Sequence, residues 1–112
     1  AAGVQFWGNY DKQRLLGVMG IQRVRDVHLI RHAYIVCSEQ GKGIGSQLIE
    51  HLFHHTSGPM LVGAWADAQW AITFYQKHGF MLTETEEKNR LLQSYWTVSP
   101  RQIETSVVLR RD

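Results

Sequence analysis

The spacing of the apolar residues changes at Gly43, and this change limits the folds open to the chain. Before it, apolar side chains share one parity, at Val27, Leu29, Ala33, Ile35 and Cys37. That alternation is typical of a long strand with one buried face. After it, apolar side chains recur at helical spacing, at Ile44, Leu48, Ile49, Leu52 and Phe53. The pattern therefore predicts a strand followed directly by an amphipathic helix.

Two segments that precede the long strand also have strand character. Residues 4–7 form a short apolar segment, and residues 9–12 are typical of a turn. Residues 15–24 suit a strand better than a helix, because Gly17 and Gly20 interrupt their apolar pattern. With a turn at residues 25 and 26, the three strands predict an antiparallel meander.

Alternating strands and helices are expected to continue to the end of the chain. Residues 60–66 form the short apolar run of a buried parallel strand, so residues 27–66 predict a right-handed crossover. Asp67 can cap a second helix, which Gly79 ends. Beyond it we expect a strand over residues 80–85, a helix over 86–96 and a last strand over 102–109. The fold class is α/β with a mixed sheet, in which a meander is followed by a βαβ crossover.

Composition excludes several classes of protein. A length of 112 residues fits one domain, and 44% hydrophobic with 20% charged residues is typical of a soluble globular chain. The net charge of +2 provides no basic surface for nucleic acid, and no apolar run is long enough to span a membrane. Cys37 is the only cysteine, so an intrachain disulfide is impossible. Residues 1–4 do not resemble a signal peptide, and we expect a cytoplasmic protein.

A glycine-rich segment separates the long strand from the first helix. It reads Gln40-Gly41-Lys42-Gly43-Ile44-Gly45. Glycines let a backbone approach a ligand closely, and the amides of a first helical turn with the helix dipole attract phosphate. The spacing matches neither the Walker loop nor the dinucleotide fingerprint. A tightly packed helix start remains the alternative interpretation.

A second motif, at residues 71–80, reads Ala-x-x-Phe-Tyr-x-x-x-Gly-Phe. The glycine-rich segment followed by this motif resembles the GNAT superfamily of N-acetyltransferases. Residues 29–35 and 103–109 also look like one bacterial branch of these enzymes. The resemblance covers essentially the whole chain. It implies a single GNAT domain over residues 1–112, lacking the strand and two helices with which such domains usually begin.

The resemblance also implies a cosubstrate, acetyl-CoA, and a set of residues that binds it. Amides of the glycine-rich segment would hold the pyrophosphate, and backbone groups of the long strand would pair with the pantetheine arm. The residues implied to contact coenzyme A are Ala33, Tyr34, Ile35, Gln40, Gly41, Lys42, Gly43, Ile44, Gly45 and Ser46. No metal is implied.

Tyr75 matches the position that protonates the departing thiolate in this family. A phenol with a pKa near 10 is protonated at neutral pH and can donate. The alternative is that Tyr75 only packs on the core-facing side of its helix.

The chain departs from the family pattern at the general base. No carboxylate stands at the corresponding positions, which are Leu29 and Gly63 here. The nearest titratable side chains are His28, Arg31 and His32. An imidazole could accept the proton directly or through water, and a packed or solvent-facing histidine is the alternative.

Other features leave alternatives open. His51, His54 and His55 have a spacing that can bring imidazoles together for a metal, but they lack a further ligand cluster and also suit a polar helix end. Four tryptophan indoles could stack an aromatic ligand, or could pack in the core and at edges. They are Trp7, Trp65, Trp70 and Trp96.

The function implied by the resemblance is acetyl transfer from acetyl-CoA to a primary amine of a small molecule or peptide. A non-catalytic acyl-CoA-binding or sensing module on the same fold is the alternative. The chain could form a homodimer. We expect neither nucleic acid nor a membrane as a partner.

Overall fold

The structure, a computed structural model, describes residues 4–11, 14–35 and 43–112. These residues belong to two compact units, Ala1–Gly58 and Pro59–Asp112. In the part of the chain described, no helix is long and apolar enough to cross a membrane.

The first unit contains the expected antiparallel meander. Its strands are β1 (Val4–Asp11), β2 (Arg14–Val24) and β3 (Val27–Ile35). The helix α1 (Ile44–His54) packs against β1 and β2 with a buried face of Ile44, Leu48, Ile49 and Leu52. The change from strand to helix spacing is thus confirmed.

The first strand is longer than its apolar segment. Pairing with β2 runs from Val4 opposite Gln22 to Asp11 opposite Arg14. The turn expected over residues 9–12 is therefore wrong for residues 9–11, which are strand. Pairing with a neighbouring strand outweighs the local turn preference of Asn and Asp.

A β-bulge interrupts the pairing of β2 with β3. Val18 pairs with Tyr34 and Gly20 pairs with Arg31, so two residues of β3 lie opposite one residue of β2. The extra residue breaks the alternation of β3. Leu29 is buried whereas Ala33 is exposed, so the single buried parity expected for this strand is wrong beyond the bulge.

The second unit contains a three-stranded antiparallel sheet in the order β4, β6, β5. The strands are β4 (Met60–Trp65), β5 (Met81–Leu82) and β6 (Ser106–Arg111), and the helices are α2 (Gln69–Lys77), α3 (Thr85–Tyr95) and α4 (Pro100–Thr105). Its largest fully buried side chains are Leu61, Val108 and Leu109. The strand at residues 60–65 and the two helices before residue 96 are as expected.

The strand expected over residues 80–85 is limited to Met81–Leu82, and Thr85 begins α3. The expectations for residues 102–105 and for Asp67 are also wrong. Residues 102–105 belong to α4, because Ser99 Oγ accepts from the Gln102 amide and Gln102 Oε1 accepts from the Ser99 amide, with Pro100 in the first turn. The N-cap of α2 is Ala68 rather than Asp67, and no side chain caps it. The Asp67 carbonyl accepts from the Gln69 amide instead.

Candidate active site

Gly43 sets the start of α1. Its φ of 82° is in the left-handed region, and its carbonyl accepts the Gln47 amide at 3.0 Å. No side chain caps the helix, no acidic residue lies in its first turn, and nothing lies within 4 Å of where a Cβ of Gly43 would be. Ile44 is buried, and Gly45 and Ser46 are partly exposed. The start of this helix therefore has the geometry that accepts an anion. Gln40, Gly41 and Lys42 lie outside the described residues.

The bulge of β3 lies where the sequence analysis places the pantetheine contacts. The register assigns the two β3 residues of the bulge to His32 and Ala33, immediately before Tyr34. Ala33 is exposed and the Tyr34 side chain is 56% exposed. A bulge leaves its extra residue outside the regular ladder of the two strands. The backbone of Ile35 pairs with Gly17.

Tyr75 lies on the buried side of α2, with 7% of its surface exposed. Its ring contacts those of Phe74 and Phe80 edge-on, at centroid distances of 5.2 and 5.4 Å. Burial raises the pKa of Tyr75 to about 12, because the phenolate would lose its hydration. The hydroxyl is therefore protonated over the physiological range, as a donor requires.

Two of the titratable side chains near the missing carboxylate, His28 and Arg31, make contacts with other residues of the protein. His28 lies opposite Arg23 in the β2–β3 ladder, and its ring also bonds to the backbone of Ser57. Burial and the Arg23 charge lower the pKa of His28, and the Ser57 bond opposes them only in part. Arg31 Nε donates to Gln22 Oε1 at 3.2 Å. Nothing is described of the His32 side chain.

Two of the three histidines at the end of α1 lie together, since the ring centroids of His51 and the C-cap residue His55 are 4.4 Å apart. Trp7 stacks on His55 at 4.8 Å with 19° between the ring planes, and His51 meets the Trp7 ring edge-on at 4.8 Å. Trp7, His51 and His55 thus form one aromatic cluster. Within residues 4–11, 14–35 and 43–112, no group of three or more His, Cys, Asp or Glu could hold a metal ion.

Gly63, the second position without the expected carboxylate, is covered by an indole. Trp96 Cζ2 lies 3.6 Å from where a Cβ of Gly63 would be. The residues are 33 positions apart by their numbers, so no local motif predicts the contact. From the sequence, Trp96 is one of four tryptophans that could stack an aromatic ligand or pack in the core and at edges, and its contact with Gly63 is a packing contact.

The family model described as acetyltransferase (GNAT) domain matches residues 2–82. No curated protein matches the sequence. Among solved structures, the PaiA N-acetyltransferase from Thermoplasma acidophilum in complex with coenzyme A is 13% identical, with a TM-score of 0.73; the match covers 98% of this chain and 61% of that one. The chain thus spans less than two thirds of that enzyme.

Two further structures are similar. A GNAT family acetyltransferase from Elizabethkingia anophelis with acetyl-CoA bound is 18% identical, with a TM-score of 0.76 and coverage of 98% of this chain and 76% of that one. An acetyltransferase of the GNAT family from Staphylococcus aureus Mu50 is 17% identical, with a TM-score of 0.76 and coverage of 98% and 68%. The expected fold class is thereby confirmed.

Proposed function

Because the chain belongs to the GNAT acetyltransferase family, we propose that it transfers the acetyl group of acetyl-CoA to a primary amine of a small molecule or peptide. The observation that carries this proposal is the start of α1, where left-handed Gly43 precedes a helical turn without a side-chain cap. Two solved relatives in fold hold coenzyme A or acetyl-CoA, which supports the same ligand here.

We assign the pyrophosphate to the segment from Gln40 to Ser46. Phosphate oxygens accept from helix N-terminal amides, and the helix dipole favours their negative charge. Ile44 anchors the turn because its side chain is buried. Gly43 provides space, because a side chain there would occupy the approach to the amides.

We assign the pantetheine arm to the backbone of Ala33, Tyr34 and Ile35. The arm contains amide groups that can pair with a strand as a further strand would. An amide of the same strand can also polarise the thioester carbonyl. The bulge at residues 32 and 33 supports this assignment, because it takes backbone groups out of the regular ladder.

Tyr75 would stabilise the leaving sulfur. In the overall reaction the amine nitrogen bonds to the carbonyl carbon, the carbon–sulfur bond breaks, the amine loses a proton and the thiolate gains one. A phenol with a pKa of about 12 is a weaker acid than a thiol, whose reference pKa is about 8.5. Tyr75 therefore acts as a hydrogen-bond donor while charge develops on sulfur, and solvent can supply the proton that the thiol finally carries.

The amine must be neutral to attack, so its proton must leave before or during the reaction. With leucine and glycine at the two positions where the family usually has a base, a water path to bulk solvent fits this chain better than a fixed carboxylate. His28 is tied to Ser57 and lies beside Arg23, which argues for a packing role.

A coupled assay tests the proposal. The protein is incubated with acetyl-CoA and a panel of alkylamines, arylalkylamines and peptides, and both free thiol and product mass are measured. We expect thiol release that depends on the amine, with one acetyl group added to it. Tight coenzyme A binding without any acetylated product would instead identify the alternative, an acyl-CoA-binding or sensing module, which the two missing carboxylates favour.

A further inference from the structure

One stripe of α1 lies along the first strand of the sheet. Gln47, His51 and His55 follow one another at every fourth position, so they share one side of the helix and its C-cap. Asn9 Nδ2 donates to Gln47 Oε1 at 2.6 Å, and the Trp7 ring contacts both imidazoles. Asn9 and Trp7 alternate with Gly8 on β1, so both point to the helix side of the sheet. The strand therefore packs against both imidazoles at the end of this stripe.

The imidazoles of His51 and His55 lie within reach of one metal ion. Their ring centroids are 4.4 Å apart, and their planes make an angle of 51°. A Zn²⁺ ion lies about 2.0–2.1 Å from a histidine nitrogen, so an ion bound to one nitrogen of each ring places the ring centres roughly 4.5–5.5 Å apart. The observed separation is close to the lower end of this range. Two histidines at positions i and i+4 are also the spacing with which one helix face binds zinc.

The contacts with Trp7 leave both imidazoles able to present a nitrogen to the ion. The indole stacks on His55 with 19° between the planes and meets His51 at 68°. A half-turn of an imidazole about its bond to Cβ keeps the ring plane, and hence the contact with Trp7, while its carbon and nitrogen positions are exchanged. Each outer position of the ring therefore carries a nitrogen in one of the two orientations, so the edge that faces the other histidine can be a ligand.

The donor set determines the class of ion. Within residues 4–11, 14–35 and 43–112, no group of three His, Cys, Asp or Glu could hold a metal, so the protein supplies two imidazoles. Both histidines are exposed, and water can therefore complete the coordination. Imidazole nitrogens suit Zn²⁺, Ni²⁺ and Cu²⁺, whereas Mg²⁺ and Ca²⁺ prefer oxygen ligands.

We propose that His51 and His55 bind one divalent transition-metal ion of the class of Zn²⁺, Ni²⁺ and Cu²⁺. The ion links the last turn of α1 to its C-cap residue and stabilises the folded chain, because the paired ligands exist only when the helix is formed. His51 is about 12 Å along the helix axis from Gly43. The metal site is therefore separate from the proposed coenzyme A site and does not depend on the proposed acetyl transfer.

Calorimetric titration of the untagged chain with Zn²⁺ tests the proposal. We expect one ion per chain, and no binding of Mg²⁺ at the same concentration. His51→Phe and His55→Phe each keep a ring beside Trp7 but remove the nitrogen ligand. Each should weaken Zn²⁺ binding at least about tenfold, because the remaining histidine loses the second, intramolecular ligand. His54→Phe is the matched control, since it removes an exposed neighbouring histidine, and it should bind Zn²⁺ as the unmodified chain does.

Two further measurements locate the ion. Zn²⁺ should raise the Tm of the unmodified chain and of His54→Phe, and leave the Tm of His51→Phe and His55→Phe unchanged. Nitrogen NMR of the unmodified chain should show Zn²⁺-dependent shifts of the His51 and His55 imidazoles, which decides the matter even where a variant fails to fold. Absence of Zn²⁺ binding, unchanged affinity in folded His51→Phe and His55→Phe, or imidazole shifts confined to other histidines overturns the proposal.

Discussion

The ring of Tyr75 meets the ring of Phe80 edge-on, with 5.4 Å between centroids and 66° between planes. The Phe80 amide donates to the Tyr75 carbonyl at 3.0 Å, so backbone and side chain hold the two residues together. This packing explains the burial of the phenol and hence its raised pKa. A variant that keeps the packed ring and lacks the hydroxyl therefore tests the role of the hydroxyl alone.

Tyr75→Phe removes the hydroxyl and keeps the ring. Removing one hydrogen-bond donor to a developing charge costs about 10²–10³-fold in turnover, and we expect turnover to fall within that range while coenzyme A affinity changes little. Steady-state kinetics and calorimetry on the same preparation measure both. Full activity in Tyr75→Phe would leave Tyr75 with a packing role alone.

The pKa of Tyr75 also predicts how stability depends on alkaline pH. Below pH 10 the phenol is protonated in both the folded and the unfolded chain. Between the unfolded pKa of about 10 and the folded pKa of about 12, the unfolded chain loses the proton first, so stability falls as pH rises. At pH 11 this loss amounts to about 1.4 kcal/mol.

Urea unfolding at pH 8 and pH 11 measures the effect. Other groups titrate in the same interval, so the prediction concerns the difference between the unmodified chain and Tyr75→Phe. The unmodified chain should lose about 1.4 kcal/mol more than the variant. Equal losses would show that the folded phenol ionises near its ordinary pKa.

Gly20 is required where three strands meet. A Cβ at this position would lie 2.8 Å from the Arg31 carbonyl oxygen and 2.9 Å from Cε1 of Phe6. The carbonyl belongs to the paired strand β3 and cannot move without disturbing the ladder. We expect Gly20→Ala to lower the free energy of unfolding by about 1–3 kcal/mol.

Gly63→Ala is the control for this prediction. The nearest atom to a Cβ at Gly63 is 3.6 Å away, which is ordinary van der Waals contact, so its stability should change little. Chemical denaturation of both variants measures the difference. Equal stability of Gly20→Ala and the unmodified chain would contradict the close approach of β1, β2 and β3.

Hydrophobic spacing predicted most of the elements because each depends on local alternation or helical periodicity. It could not predict the bulge at residues 32 and 33, because an extra residue leaves the local pattern unchanged and is detected only from the partner strand. The error at residues 102–105 has a different cause. The valines at positions 107 and 108 favoured a strand, but Ser99 and Gln102 have the spacing of a capping box, which was a readable helix signal.

The candidate site likewise has one part that sequence motifs indicate and one part that depends on tertiary contacts. The glycine-rich helix start and the Tyr75 position follow from contiguous motifs, and Gly43 does have a left-handed backbone. The contact between Trp96 and Gly63 depends on the register of β4 with β6 and on where α3 ends. These are tertiary relationships, which short motifs do not encode.

Coenzyme A binding at the start of α1 is the central claim, and the chain provides a matched control for it. Gly43 and Gly58 both have a φ of 82°, and nothing lies within 4 Å of a Cβ at either position. Valine at either glycine therefore strains the backbone in the same way, but only Gly43 precedes the first turn of α1.

The deciding measurement is the calorimetric affinity for coenzyme A of the unmodified chain, Gly43→Val and Gly58→Val, with circular dichroism confirming that all three are folded. We predict that Gly43→Val weakens binding at least about tenfold, which is about 1.4 kcal/mol, and that Gly58→Val binds as the unmodified chain does. Unchanged affinity in folded Gly43→Val would contradict the assignment of the pyrophosphate to this helix start.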